Sequence, residues 1–399
     1  MIPYDELLKN RKTPFYVFDQ EGFIANYHAL ENAMCSVYPN YAISYSYKTN
    51  YTPYICKLVK ILGGYAEVVS DMEYMLAKKL GYSNERIVYN GPVKGPLLEE
   101  HLLNDGIVNI DSLDEAERIS FLAKRTGKKL RVGLRINIDV GGDFISRFGL
   151  SPTGNDIEHA ITILNRSNVK IVGLHCHISR CRGIDAWKKR ADIMLQVAGQ
   201  YIKEIPEYIS LGSGMFADME SDLKKQFTNV PTYEEYARET LTPFAEHYPD
   251  KKPVIFTEPG TTVIARYLNF VSTVQSIKNI RGRFMANMDG SYENLGEICT
   301  MKKLPLRVIH KNESTVYQNL DIMGYTCLEQ DLMYSGYSGM LSPGDVIVFG
   351  NTGGYSIVSK PQFIQPNCSM IAYLPDNTIK EIMREETFDD VFSKFKFAE

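Results

Sequence analysis

The chain has 399 residues, with 44 Lys+Arg against 48 Asp+Glu and a formal charge of −4; hydrophobic residues make up 44% and charged residues 23%. That size suits two domains, or one large domain with a smaller companion, and the balance excludes a disordered chain, a collagen-like chain and a disulfide scaffold. It also lacks the basic field that phosphate backbones require, so no nucleic-acid partner is expected.

In chain order, Pro14–Phe18 reads as a strand and Gln20–Met34 as a helix. Eight short apolar, β-branched runs follow: Tyr41–Tyr47, Tyr65–Val69, Arg86–Tyr89, Ile107–Ile110, Leu130–Ile136, Ile171–His175, Tyr208–Leu211 and Val254–Thr257. Helical patterns lie between them at Thr52–Leu62, Asp71–Leu80, Leu113–Thr126, Gly154–Ile163, Ala186–Ile202 and Thr232–His247. Such alternation predicts a parallel sheet, and eight units suit a closed (β/α)8 barrel. A doubly wound open sheet is the competitor, but no GxGxxG follows the first of these strands. From about Arg266 the pattern changes to short strands and turns: Asn269–Ile277, Arg283–Met288, Leu306–Ile309, Leu320–Gly324, Val346–Phe349 and Met370–Leu374. The acidic stretch Glu381–Asp390 reads as a solvated helix. The expected architecture is α/β: a TIM barrel over residues 24–265 and a C-terminal all-β, sandwich-like domain over 266–399, completed by the N-terminal strand within 1–23.

The seven cysteines run from Cys35 to Cys368 without a CxxC pair, which predicts free thiols in a reducing, cytoplasmic setting. The start, MIPYDELLKNRK, has no apolar h-region, and no apolar run approaches the ~18 residues of a membrane span, so no membrane partner is expected.

Barrel enzymes place their chemistry where strands end and loops begin. Here the strands end in order at Lys48, at Ser70, Asp71 and Glu73, at Asn90-Gly91, at Asp111, at Arg135, at His175 and His177, at Gly212-Ser213-Gly214, and at Glu258-Pro259-Gly260. A lysine at a barrel mouth can form an imine, a glycine turn lets N–H groups approach a phosphate, and a carboxylate can keep a pyridine nitrogen protonated. Together these are the needs of pyridoxal 5′-phosphate (PLP). A competing reading takes His175 and His177, with Cys176 and Cys181 nearby, as zinc ligands. The remaining histidines (His28, His101, His159, His247 and His310) fall away from strand ends, so no metal is expected.

At these residues the chain resembles the fold-type III PLP-dependent decarboxylases, the group of diaminopimelate and ornithine decarboxylases. The motifs are TPFYVFD, SYKTN around Lys48, EVVSDME, YNGPVK, NID, LRIN, SRFG, GLHCHIS, LGSG, TEPG, GYTCLEQD and GGYS, in the family's order and over nearly the whole chain. The resemblance implies a homodimer with shared active sites and an amino-acid substrate. It implies that Lys48 holds PLP covalently, that Glu258 pairs with the pyridine nitrogen and that His177 stacks on the ring. Gly212, Ser213 and Gly214 would meet the phosphate, with Gly260 beside them and Tyr355 reaching it from the second domain. Arg135, Glu67 and Glu73 would orient the lysine and ring. Cys327 would come from the partner subunit and protonate the carbon that has lost CO2. The related alanine racemases place an arginine at the pyridine nitrogen, so Glu258 argues for decarboxylation over a racemase of the same fold.

The departures concern the substrate end. Leu328 stands where these decarboxylases carry an acid that contacts the distal amine of the substrate, although Asp331 matches a later family aspartate. Thr261 and Thr262 replace the arginine of EPGR, and Ser179-Arg180 replaces Gly-Ser. The resemblance therefore implies a polar, amine-bearing substrate of the diaminopimelate or ornithine type, or a conjugate of one. Arg180, Leu328 and Asp331 are the expected substrate contacts, and a carboxynorspermidine decarboxylase-like enzyme is the alternative.

Overall fold

The computed structural model describes residues 2–142, 145–311 and 313–397. The chain forms two compact units. One contains residues 27–216 and 229–262, the other residues 1–26, 217–228 and 263–399.

The N-terminal strand β1 is Phe15–Asp19. The first unit is built on β2 (Tyr41–Ser46), β3 (Tyr65–Val68), β4 (Ile87–Tyr89), β5 (Ile107–Ile110), β6 (Leu130–Arg135), β7 (Val169–His175), β8 (Tyr208–Ser210) and β9 (Val254–Thr257). They close in that order into a barrel of parallel strands. Their runs are apolar because helices cover one face and the barrel core the other. The helices carry their own start signals: Ser70, Ser112 and Thr232 each accept from a glutamate N–H three residues on, and Gly127 ends the helix Leu113–Thr126 in left-handed geometry. Leu97–Leu103 adds a short helix that the sequence pattern does not show.

At the N-terminal floor of the barrel, Tyr208 packs with Val172 and Phe256. The ring has room because two facing positions are glycine: a Cβ at Gly133 would lie 2.2 Å from the Tyr208 hydroxyl, and one at Gly173 2.3 Å from its ring. The core above it is therefore shaped around one tyrosine.

The second unit is a nine-stranded mixed sheet. It adds β10 (Leu268–Ile280), β11 (Arg283–Met288), β12 (Leu306–Ile309), β13 (Thr315–Met323), β14 (Leu332–Leu341), β15 (Val346–Phe349), β16 (Ser369–Tyr373) and β17 (Ile379–Met383). Strand β1 lies between β10 (antiparallel) and β16 (parallel), so the two ends of the chain meet in one sheet. Phe15, Val17, Val271, Val348 and Ile371 form its core with Tyr4 and Leu7 of an unexpected N-terminal helix, Tyr4–Asn10.

One C-terminal expectation is corrected. Glu381–Asp390 is not one helix. Strand β17 occupies its start, paired with β16 across a turn at Asn377, and a short helix, Phe388–Phe392, follows. Strand β14 is not among the strands expected from the sequence; its glycines and serines are poor strand formers, and pairing with β13 overrides that propensity. No helix among the described residues is long and apolar enough to cross a membrane.

Candidate active site

The C-terminal strand ends of the barrel gather a buried polar cluster. Lys48 follows β2; its Nζ donates to Ser46 Oγ at 2.6 Å and pairs with the Glu67 carboxylate, which Ser46 also meets. Glu67 is 1% exposed, so this lysine is held over a buried anion. After β9, the strand paired with β2, Glu258 is equally buried and accepts from four side chains: Asn90 Nδ2 and Ser210 Oγ at 2.9 Å, His175 Nε2 at 3.1 Å and His177 Nδ1 at 3.2 Å. Burial pushes its carboxyl up, but His175, then His177, outweigh that and hold it well below the ordinary value. The site thus offers an amine and a persistent anion in one cluster, with Asn90 bridging Glu258 and the partner of Lys48.

His175 and His177 share a strand face because side chains alternate along β7 and beyond. With Glu258 they bring ligand atoms within 4.8 Å of one another. A cation there would compete with four hydrogen bonds already made to the carboxylate. Arg135, at the end of β6, donates to Asp111 Oδ1 at 3.0 Å and lies over the Phe148 ring at 4.6 Å. Glu73 accepts from the Val69 N–H at 2.8 Å, so its contact is with the loop that follows β3. Lys94 pins the next loop through Gly91 O and Glu115.

The turn after β8 has the geometry of a phosphate cradle. Gly212 and Gly214 have φ of 65° and 98°. A Cβ on either would come 2.3 Å from a backbone oxygen, Cys176 O and Ile178 O respectively. Arg190, which sequence reasoning missed, is fully buried and donates to Leu211 O at 2.6 Å and Ser213 O at 2.7 Å. The Gly212 N–H donates to Ser210 Oγ at 3.4 Å. The only sign of Arg190 in the sequence is a charge on the apolar stripe of its helix, beside Trp187, Ala191 and Met194. Gly260 packs against Thr49, whose Oγ1 would lie 1.9 Å from a Cβ there. An amine, a ring partner and a glycine turn are what PLP requires, and the residues present fit it.

Arg180 is exposed on the loop after β7. In the second unit Tyr355 has φ 61° and is 38% exposed, Cys327 is exposed and Leu328 half-buried. Asp331 is 1% exposed. Its carboxylate accepts from Tyr292 N at 2.9 Å, Thr326 N at 3.0 Å and Thr326 Oγ1 at 2.6 Å. Those bonds shape the Cys327 loop, and Gly324 leaves space for that carboxylate.

The buried histidines make the apoprotein acid-sensitive. Burial pushes His177 and His101 down to about 4. Between about pH 6.5 and 4 the unfolded chain takes up two protons that the folded chain refuses, so stability falls with pH by at most about 3 kcal/mol per histidine. Burial pushes Glu73 up to about 7, and its sign is opposite: the folded form keeps a proton that the unfolded form has lost. It offsets one histidine, leaving a net loss. Thermal unfolding of apoprotein should show Tm falling from pH 6.5 to 4.5; a flat or rising Tm contradicts this balance.

Comparison with known proteins points the same way. Residues 24–265 match the family described as "Pyridoxal-dependent decarboxylase, pyridoxal binding domain". A diaminopimelate decarboxylase of Archaeoglobus fulgidus is 24% identical, covering 100% of this chain and 96% of the relative. An L-glutamyl-[BtrI acyl-carrier protein] decarboxylase of Niallia circulans is 26% identical over 96% of this chain and 94% of its own length. The structure of M. jannaschii diaminopimelate decarboxylase with L-lysine superposes with a TM-score of 0.85 at 24% identity, covering 98% of this chain and 94% of that one; it speaks for the fold.

Proposed function

The chain belongs to the pyridoxal-dependent decarboxylase family, and from that premise we propose that its barrel mouth removes the α-carboxylate of a polar, amine-bearing amino acid or of a conjugate. The reading rests on Glu258, a buried carboxylate held anionic by two histidines, at the end of the strand paired with the one that Lys48 follows. PLP, when bound, supplies the sink for the electron pair left on Cα as the bond to CO2 breaks. Lys48 would hold the cofactor, Glu258 would keep the ring nitrogen protonated, and His177 would flank the ring. The N–H groups of the Gly212-Ser213-Gly214 turn, with Tyr355, would meet the phosphate. Arg135, Glu67 and Gly260 shape the surroundings.

The last step returns a proton to Cα. We assign it to the Cys327 thiol of a second subunit in a homodimer; the thiol loses H+ and Cα gains it. An exposed cysteine on a loop braced by buried Asp331 supports that assignment. Seven unpaired cysteines also suit a reducing cytoplasm.

Leu328 favours a second substrate reading. An apolar residue cannot pair with a distal ammonium, so a conjugate without that amine fits it better. The N. circulans relative acts on such a conjugate, by its name. CO2 release should be followed on diaminopimelate, ornithine, lysine and carrier-bound glutamate with PLP present. Turnover of any of these supports decarboxylation, and the preferred one separates the two readings. Silence on all, in protein that binds PLP, would overturn the substrate class. Cys327→Ala should slow product formation at least ~10²-fold while leaving the visible cofactor band intact; full activity would remove Cys327 as the donor.

A further inference from the structure

A directed hydrogen-bond chain climbs from the barrel floor to both carboxylates of the site. Tyr208 Oη donates to Asn109 Oδ1 at 2.8 Å, and Asn109 Nδ2 donates to Asn90 Oδ1 at 2.8 Å. Asn90 Nδ2 then donates to Glu258 Oε1 at 2.9 Å and Glu67 Oε1 at 3.2 Å. All five residues are at most 5% exposed. The direction is forced from the top. Ionised carboxylates only accept, so Asn90 must present its NH2 to them. Its oxygen then faces Asn109, which must present its own NH2 in turn. The Asn109 oxygen is left for a donor from below, and a hydroxyl on Tyr208 supplies it. Gly133 and Gly173 are the positions that make room for that tyrosine.

We propose that Tyr208 is a positioning residue. Through Asn109 it locks the Asn90 amide so that one NH2 group holds both the partner of Lys48 and the partner of the pyridine ring. Tyr208 touches neither reacting group. It acts by supplying the donor that the Asn109 oxygen needs, so that the NH2 groups of Asn109 and Asn90 both stay turned towards the carboxylates. This inference rests on the cofactor reading above, under which the chain of bonds keeps Glu258 charged and both carboxylates in place.

The test is Tyr208→Phe, with Phe256→Leu as control. Phe256 packs against the Tyr208 ring at 6.0 Å between centroids but makes none of these hydrogen bonds. Each variant is titrated with PLP, and the acid limb of its visible band and of apoprotein unfolding is followed. Losing the ordered donor should raise the pKa of Glu258. In Tyr208→Phe the acid midpoint should move up by about 0.5–1 pH unit and PLP should bind ~10-fold more weakly. Phe256→Leu should lower Tm without moving the acid midpoint of the visible band. Asn109→Ser, which interrupts the chain in the middle, should act like Tyr208→Phe and serves if that variant does not fold. A Tyr208→Phe protein with the wild-type midpoint and affinity overturns the proposal, as does an equal shift in Phe256→Leu. A wild-type protein without a visible band removes the cofactor reading alone; the acid limb of apoprotein unfolding still decides the role of Tyr208.

Discussion

Lys48→Ala is expected to lose the visible band of the lysine-linked cofactor and to lower activity on the order of 10³-fold or more. The reason is chemical, since no other amine can take that position on the 3-10 turn Tyr47–Thr49. A second effect accompanies it. Glu67 is buried and would keep only Ser46 and Asn90 as partners. Removing one member of a buried pair costs about 3–5 kcal/mol, less here because the Lys48 side chain is 30% exposed. Lys48→Arg separates the two effects. A guanidinium keeps a cation near Glu67 but does not deprotonate to form the bond. The arginine variant should be colourless and inactive yet closer to wild type in Tm. A Lys48→Ala protein that keeps the band would remove the lysine from its role.

The barrel is legible in the sequence because its strands are short β-branched runs, and their ends carry Lys48, Arg135, His177 and Glu258 in order. Period and position suffice for that much. The β unit is less so: β14 has glycine and serine where a strand has branched residues, and only its partner β13 makes it one. The supporting residues are hidden for a different reason. Arg190 and Tyr208 sit among apolar neighbours, and a single sequence shows them as packing. What each does depends on a carbonyl or an amide contributed from another strand or loop. Asp331 resembles a substrate contact because of its place after Cys327; its oxygens are instead engaged by the loop that carries that cysteine. His175 stands on a barrel strand as a packed residue would, and it donates directly to Glu258.

Glu258→Gln tests the site from the other side. The amide keeps the shape of the carboxylate but accepts at one atom only, so it cannot satisfy Asn90, Ser210, His175 and His177 together. Its NH2 must face two of those donors. One or two buried donors lose their partner, which should cost about 1–3 kcal/mol each and lower the apoprotein Tm. Catalysis should suffer more. A neutral amide has no charge with which to hold a pyridine nitrogen protonated, and kcat should fall ~10²–10³-fold. Lys48 is untouched, so the cofactor should still bind and its band should persist. That pattern, bound cofactor with little turnover, differs from the colourless Lys48 variants. It also distinguishes a ring partner from a mere packing anchor: an anchor would lower Tm and leave kcat at low temperature near wild type. Near-normal kcat in Glu258→Gln would therefore take the pyridine partner away from Glu258, and with it the argument that this barrel was built for decarboxylation.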